Sequence, residues 1–363
     1  MNGGENTERL SGIVHTMTNL SGDSDLNATS RRIIPASFRP AWWLPGAHLQ
    51  TVWPALMPRR SRVPIRRRRF ELPDGDFIDV DWAGEQGPIV VVLHGLGGSS
   101  ASHYVRGMLQ ALALQGWRAA LMHFRGCSGE PNRLPRGYHA GETGDLNTFI
   151  AMLRRSEPRT PLAVIGYSLG GNVVLKWLGE QGRAAPVSAA VAVSVPFDLA
   201  NAAARVHQGF SRVYERRMLR NLQKLMIDKG ARQALPWDER TISAISSLRE
   251  FDDRITASLH GFHGADDYYA RASCRPYLSA IDTPSLVIHA LNDPFMSPTV
   301  VPGEHELSAA MSLELSNHGG HVGFVGGEPW APHYWLETRI PAYLATRFAS
   351  APLPNAQVVS VPA

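Results

Sequence analysis

Gly166-Tyr167-Ser168-Leu169-Gly170 sets a serine between two glycines at G-x-S-x-G spacing. The chemistry open to such a serine is nucleophilic attack on an acyl carbon. The apolar run Leu162-Ala163-Val164-Ile165 leads into it, and Asn172 to Leu178 leaves it with helical spacing. Ser168 is therefore expected on a sharp strand-to-helix turn with a strained backbone, where only glycine at 166 and 170 lets the chain pass close to itself. At that tip its hydroxyl meets the positive end of the following helix, which favours developing negative charge.

A serine hydroxyl is a poor nucleophile near neutral pH. It needs an imidazole to take its proton and a carboxylate to orient that imidazole and stabilise its charged form. On this topology the partners follow in the order Ser, acid, His, each just after a late strand. Asp293, in Leu291-Asn292-Asp293-Pro294, fits the acid position; read alone, an Asp-Pro pair is also an ordinary turn. The base comes from Asn317-His318-Gly319-Gly320-His321, where two histidines compete. The glycines before His321 suit a close-packed loop that presents its ring, so His321 is taken as the base and His318 held in reserve. Two backbone N–H groups must receive the oxyanion. One is that of Leu169, after the nucleophile, and the other that of Leu96, in the His94-Gly95-Leu96-Gly97-Gly98 loop.

These groups need a sheet to carry them. Ile89 to Leu93 is a continuous apolar run, as in a strand covered on both faces, and Phe77 to Trp82 alternates like a half-exposed one. Strands are also expected at 118–124, 189–195, 284–290 and 311–315, with helices at 104–116, 144–155 and 334–347. Such alternation implies a mostly parallel α/β sheet flanked by helices. The stretch 200–282 breaks the rhythm. Phe210, Tyr214, Met218, Leu222 and Leu225 fall on one helical face, opposite Arg212, Arg216, Arg220 and Lys224, which suits a helical cap over the site. The expected organisation is a tail at 1–32, a domain at 33–350 with an arm at 33–69 and the cap at 200–282, and a second tail at 351–363.

Charge and composition exclude several classes. The formal net charge is only +4 over 363 residues, and much of it sits in the arginines between 59 and 69. With no aromatics among them a nucleic-acid platform is not expected, and the run reads as a solvated linker, with weak attraction to an anionic membrane surface as the functional option. Two distant cysteines, Cys127 and Cys274, suggest neither a disulfide scaffold nor a zinc module. His260, His263, Asp266 and Asp267 lack a third ligand at recognised spacing, so no metal or cofactor is expected. No apolar run reaches membrane-spanning length and the first thirty residues lack a signal core, pointing to a cytoplasmic protein.

Together these motifs resemble the YheT-like family of α/β-hydrolases. The likeness runs through Trp42 to Thr51, His94 to Gly98, Phe124 to Gly129, Gly166 to Asn172, Phe251-Asp252-Asp253, Asp267-Tyr268-Tyr269 and His318 to His321. It implies an α/β-hydrolase fold with a Ser168–Asp293–His321 triad acting on carboxylic esters with short or medium acyl chains, or on lipid esters. Acyl transfer to an alcohol uses the same groups and stays open, as does a non-catalytic lipid- or protein-binding scaffold. Asn292 departs from the family, which commonly carries a second aspartate there.

Overall fold

The computed structural model describes residues 31–57 and 63–350. Arg59, Arg60 and Arg62, the C-terminal tail and all but the last two residues of the N-terminal tail lie outside the described residues. Nine strands form one sheet: β1 (Ile33–Pro35), β2 (Arg66–Glu71), β3 (Phe77–Ala83), β4 (Ile89–Leu93), β5 (Arg118–Met122), β6 (Leu162–Tyr167), β7 (Ala189–Val193), β8 (Ser285–Ala290) and β9 (Met311–Ser316). Their order is β1-β9-β8-β7-β6-β4-β5-β3-β2. Pairing is parallel from β1 across to β5 and antiparallel at β5–β3 and β3–β2. The fold is thus the expected mostly parallel α/β sheet.

The apolar run of β4 has two partners. Ile89, Val91 and Leu93 pack into one core with Phe149 and Trp177, while Val90 and Val92 face Met108, Leu112 and Ile340 in another. Helices α1 (Gly46–Leu56), α2 (His103–Leu114), α3 (Gly144–Ser156) and α4 (Leu169–Gln181) precede β7. Of these, α3 and α4 cover the first face, and α2 with the last helix covers the second. Each fully buried aliphatic side chain contributes about 1.5–3 kcal/mol, so both faces need their helical cover.

Between β7 and β8 the chain is helical, with α5 (Leu199–Val206), α6 (Arg212–Gly230), several short turns and α7 (Ala265–Ala272). A hairpin of β10 (Val325–Glu328) and β11 (Ala331–Tyr334) leads to α8 (Leu336–Ser350). The apolar face of α6 folds inward, burying Leu219, Leu222 and Met226 against Ile242, Phe251 and Ile255.

Two expectations are corrected. Arg66 to Arg69 are not linker but the edge strand β2, paired with β3. Nor is β3 half-exposed: Asp79 and Asp81 are buried. Arg69 and Arg67 reach across the ladder to them in two-point contacts of 2.7–3.0 Å. The alternation of β3 therefore marks an ion-paired face rather than a solvated one, and charges along an outer strand also discourage edge-to-edge pairing.

Candidate active site

Ser168 stands at the junction of β6 and α4 with φ 52° and ψ −119°, a left-handed backbone that a non-glycine residue holds only under constraint. A Cβ at Gly166 would lie 2.3 Å from the Gly170 carbonyl oxygen, and one at Gly170 would lie 2.6 Å from that of His94. Both glycines are thus required by close backbone approach. The Ser168 N–H donates to Val193 O at 2.8 Å, anchoring the elbow to the end of β7.

The loop after β4 lies against this elbow, since a Cβ at Gly95 would sit 3.2 Å from that of Ser168. His94 is buried and bridges the loop. Gly95 O accepts from its Nδ1–H at 2.7 Å, and Phe124 N–H donates to its Nε2 at 3.3 Å. Only the neutral ring satisfies both, and burial lowers its pKa to about 3. The Tyr104 hydroxyl accepts from Gly95 N–H at 2.9 Å and that of Tyr138 from Gly97 N–H at 3.0 Å. The intervening Leu96 N–H, like that of Leu169, has no acceptor among the described residues.

Asp293 follows β8 and is buried, its Oδ1 accepting from Phe295 N–H at 2.8 Å. Its Oδ2 lies 2.8 Å from His321 Nδ1. The carboxylate accepts there, so a neutral His321 carries its proton on Nδ1 and leaves Nε2 able to accept. Phe295 stacks on the His321 ring at 4.1 Å. His318 takes no part in this contact; its own N–H turns back to Ser316 Oγ. Asn292 Oδ1 accepts from Gly320 N–H at 3.1 Å, so the residue that departs from the family ties the acid loop to the histidine loop.

No hydrogen bond joins the Ser168 hydroxyl to His321 among the described residues. What they share is an anchor, for Val322 N–H donates to Ser194 Oγ at 3.1 Å, one residue past the carbonyl that holds Ser168. In nucleophile–base pairs that bond often tightens only in the substrate complex.

A cleft of about 120 Å³ opens at Ser168. Leu96, Leu169, Val206, Met218, Leu222 and Phe295 make most of its wall apolar, with Asp252, Tyr268 and Tyr269 as polar exceptions.

Residues 88–328 match the model of the alpha/beta hydrolase fold. The chain belongs to the α/β-hydrolases. It is 44% identical over 318 residues to "Putative esterase YheT" of Escherichia coli, covering 86% of this chain and 94% of that one. It is 26% identical to "Phospholipase ABHD3" of Homo sapiens, over 81% of this chain and 75% of that one. Among solved structures, an esterase of Pyrococcus furiosus superposes with a TM-score of 0.51 at 17% identity, covering 78% of this chain and 93% of that one, a likeness of fold.

In this hydrolase the arm supplies groups that local sequence does not reveal. Thr51 Oγ1 accepts from His321 N–H at 2.9 Å while donating to Ala47 O at 2.8 Å. Gln50 makes two 2.9 Å bonds to the main chain of Val325. Gly320, at φ 61°, fits only because it lacks a Cβ, which would meet Ala47 O and Thr51 Oγ1 at 2.6 Å. The signal was present in the Trp42–Thr51 motif, but nothing local shows what it grips.

Arg125 is buried and holds Asp145, Asp74 and Asp76. Before α3 the Glu142 carboxylate accepts from Gly144 N–H at 3.1 Å, at the first position of the helix, and Thr143 donates to Glu180.

His139, Glu142 and His260 place their ligand atoms within 4.8 Å of one another, a grouping the sequence spacing conceals. Part of this donor set is already engaged. Gly141 N–H donates to His139 Nδ1, which leaves the proton on Nε2, the nitrogen 3.8 Å from Glu142. Arg136 already pairs with Glu142. Burial lowers the pKa of His139 to about 3 and that of His260 to about 4, so both rings pack as neutral groups. Asp266 and Asp267 are engaged by Arg249 and Arg271.

Proposed function

We propose that this protein is a serine esterase that cleaves carboxylic esters through Ser168, His321 and Asp293. The observation that carries the reading is the 2.8 Å contact of His321 Nδ1 with Asp293, which leaves Nε2 as the accepting nitrogen on a loop anchored beside the serine elbow. Ser168 Oγ attacks the ester carbonyl carbon while His321 Nε2 takes its proton. The tetrahedral oxyanion is received by the Leu96 and Leu169 N–H groups, both without another acceptor among the described residues. Collapse expels the alkoxide, which His321 protonates, leaving an acyl-serine. Water then attacks, giving up its proton to His321, and the acid departs as Ser168 regains its proton. Asp293 stays ionised throughout and stabilises the imidazolium.

The apolar cleft supports acyl chains, and the exterior supports substrates drawn from a lipid surface. Trp42, Leu49, Leu56, Phe210, Val213 and Trp330 are exposed. Arg212, Arg216, Arg217 and Arg220 lie on the outer face of α6. No helix among the described residues is long and apolar enough to cross a membrane. The protein would then act at a membrane surface from the cytoplasm.

A fluorophosphonate probe with p-nitrophenyl esters of graded length tests the reading. The probe labels Ser168. Ser168→Ala or His321→Ala lowers kcat by about 10⁴-fold or more, whereas His318→Ala changes it by less than about tenfold. An unlabelled serine would leave a non-catalytic scaffold. A dead His318→Ala beside an active His321→Ala would reassign the base, and ester formation with added ethanol would indicate acyl transfer.

A further inference from the structure

Asp252 meets Tyr268 and Tyr269 in the cleft, and the ester chemistry above uses none of them. Asp252 opens a π-helical turn, Asp252–Thr256, a widened backbone found mostly as single turns at functional sites. Its Oδ2 accepts from the Tyr269 hydroxyl at 2.8 Å and its Oδ1 from that of Thr256 at 2.9 Å. The carboxyl lines the Ser168 cleft and also a second cavity of about 50 Å³ that shares Leu96, Leu169 and Leu222 with it. It therefore stands where the two chambers adjoin.

Its partners are neutral. No Arg, Lys or His pairs with it among the described residues, and the nearby Arg249 is held by Asp266. A carboxylate among apolar walls without a counter-ion is costly, and burial pushes its pKa up to about 6. Two hydroxyl donors satisfy only part of its acceptor capacity, leaving each oxygen able to accept again.

We propose that Asp252 is a substrate-binding group, held in aim by Tyr269 and Thr256, that receives a hydrogen-bond donor, a hydroxyl or an ammonium, carried by the ester. The inference rests on the esterase reading and adds a substrate class, polar-substituted esters in preference to plain alkyl ones.

The test compares kcat/KM for ethyl esters of ω-hydroxy, ω-amino and unsubstituted alkanoates of matched length, and for monoacylglycerols against ethyl esters of the same acids. Wild type favours at least one donor-bearing series about tenfold or more. Asp252→Leu abolishes that preference while still cleaving the plain ester. Asp252→Asn, nearly isosteric, weakens the preference, more for an ammonium than for a hydroxyl. Absence of any preference in wild type, or a preference unchanged in Asp252→Asn, overturns the proposal; so does equal loss on all substrates, the mark of a purely structural carboxyl. Calorimetric binding of the same esters to Ser168→Ala protein gives the same ranking without turnover. Failure of Asp252 is thereby separated from failure of the esterase reading, which fluorophosphonate labelling of Ser168 reports.

Discussion

Thr51→Val is the sharpest probe of how the proposed base is held. Valine keeps the volume and β-branching of threonine but removes the oxygen that accepts from His321 N–H at 2.9 Å and donates to Ala47 O at 2.8 Å. A partly buried N–H left without its acceptor costs about 1–3 kcal/mol. The main chain of His321 relieves that cost by shifting, and the shift carries the ring away from the elbow. If the transition state bears the whole cost, kcat falls by roughly 5- to 150-fold. KM should hardly move, because Thr51 is not in the wall of the cleft. The loop should stay attached, since both Gln50 bonds to Val325 persist. Steady-state kinetics on a p-nitrophenyl ester, with a urea-unfolding curve for each variant, read both effects. Thr51→Ser, which restores the oxygen, should recover most of the rate. A Thr51→Val enzyme with kcat within twofold of wild type would refute the claim that the arm positions His321.

Stability should also depend on pH in a direction set by buried histidines. Burial lowers His94 and His139 to about 3 and His260 and His289 to about 4 in the folded chain, against 6.5 unfolded. The unfolded chain binds the extra protons, so the contribution is complete above pH 6.5 and drains away as pH falls toward the folded values. From pH 7 to 5 each loses about 2 kcal/mol, while Asp252, raised to about 6, returns about 1 kcal/mol. Urea unfolding at the two pH values should differ by roughly 6 kcal/mol, and equal stabilities would contradict neutral burial. At membranes, sedimentation with vesicles rich in phosphatidylglycerol should retain more protein than with phosphatidylcholine alone. Leu49→Glu with Leu56→Glu should release it while sparing turnover of a soluble ester; unchanged retention would remove the exposed face of α1 from the contact.

The elbow and the parallel strands were legible because their signals are local. G-x-S-x-G needs only its neighbours to impose the backbone of Ser168, and an apolar run such as Ile89 to Leu93 states its own two-sided burial. Asp293 and His321 could be placed by chain order after late strands, and the structure brings their side chains to 2.8 Å. The cationic run misled because charge read one residue at a time implies solvent. Only the pairing of β2 with β3 shows Asp79 and Asp81 waiting across the ladder.

Residues close in sequence thus determined the nucleophile's strained turn, the strand succession and the inward face of the helix at Arg212–Gly230. Tertiary structure alone decided that Thr51 clamps His321 from 270 positions away and that Asp252 faces the same cleft as Ser168. The physical reason is that periodicity and steric strain are properties of a short segment. A hydrogen bond between distant segments exists only once the sheet has brought their ends together.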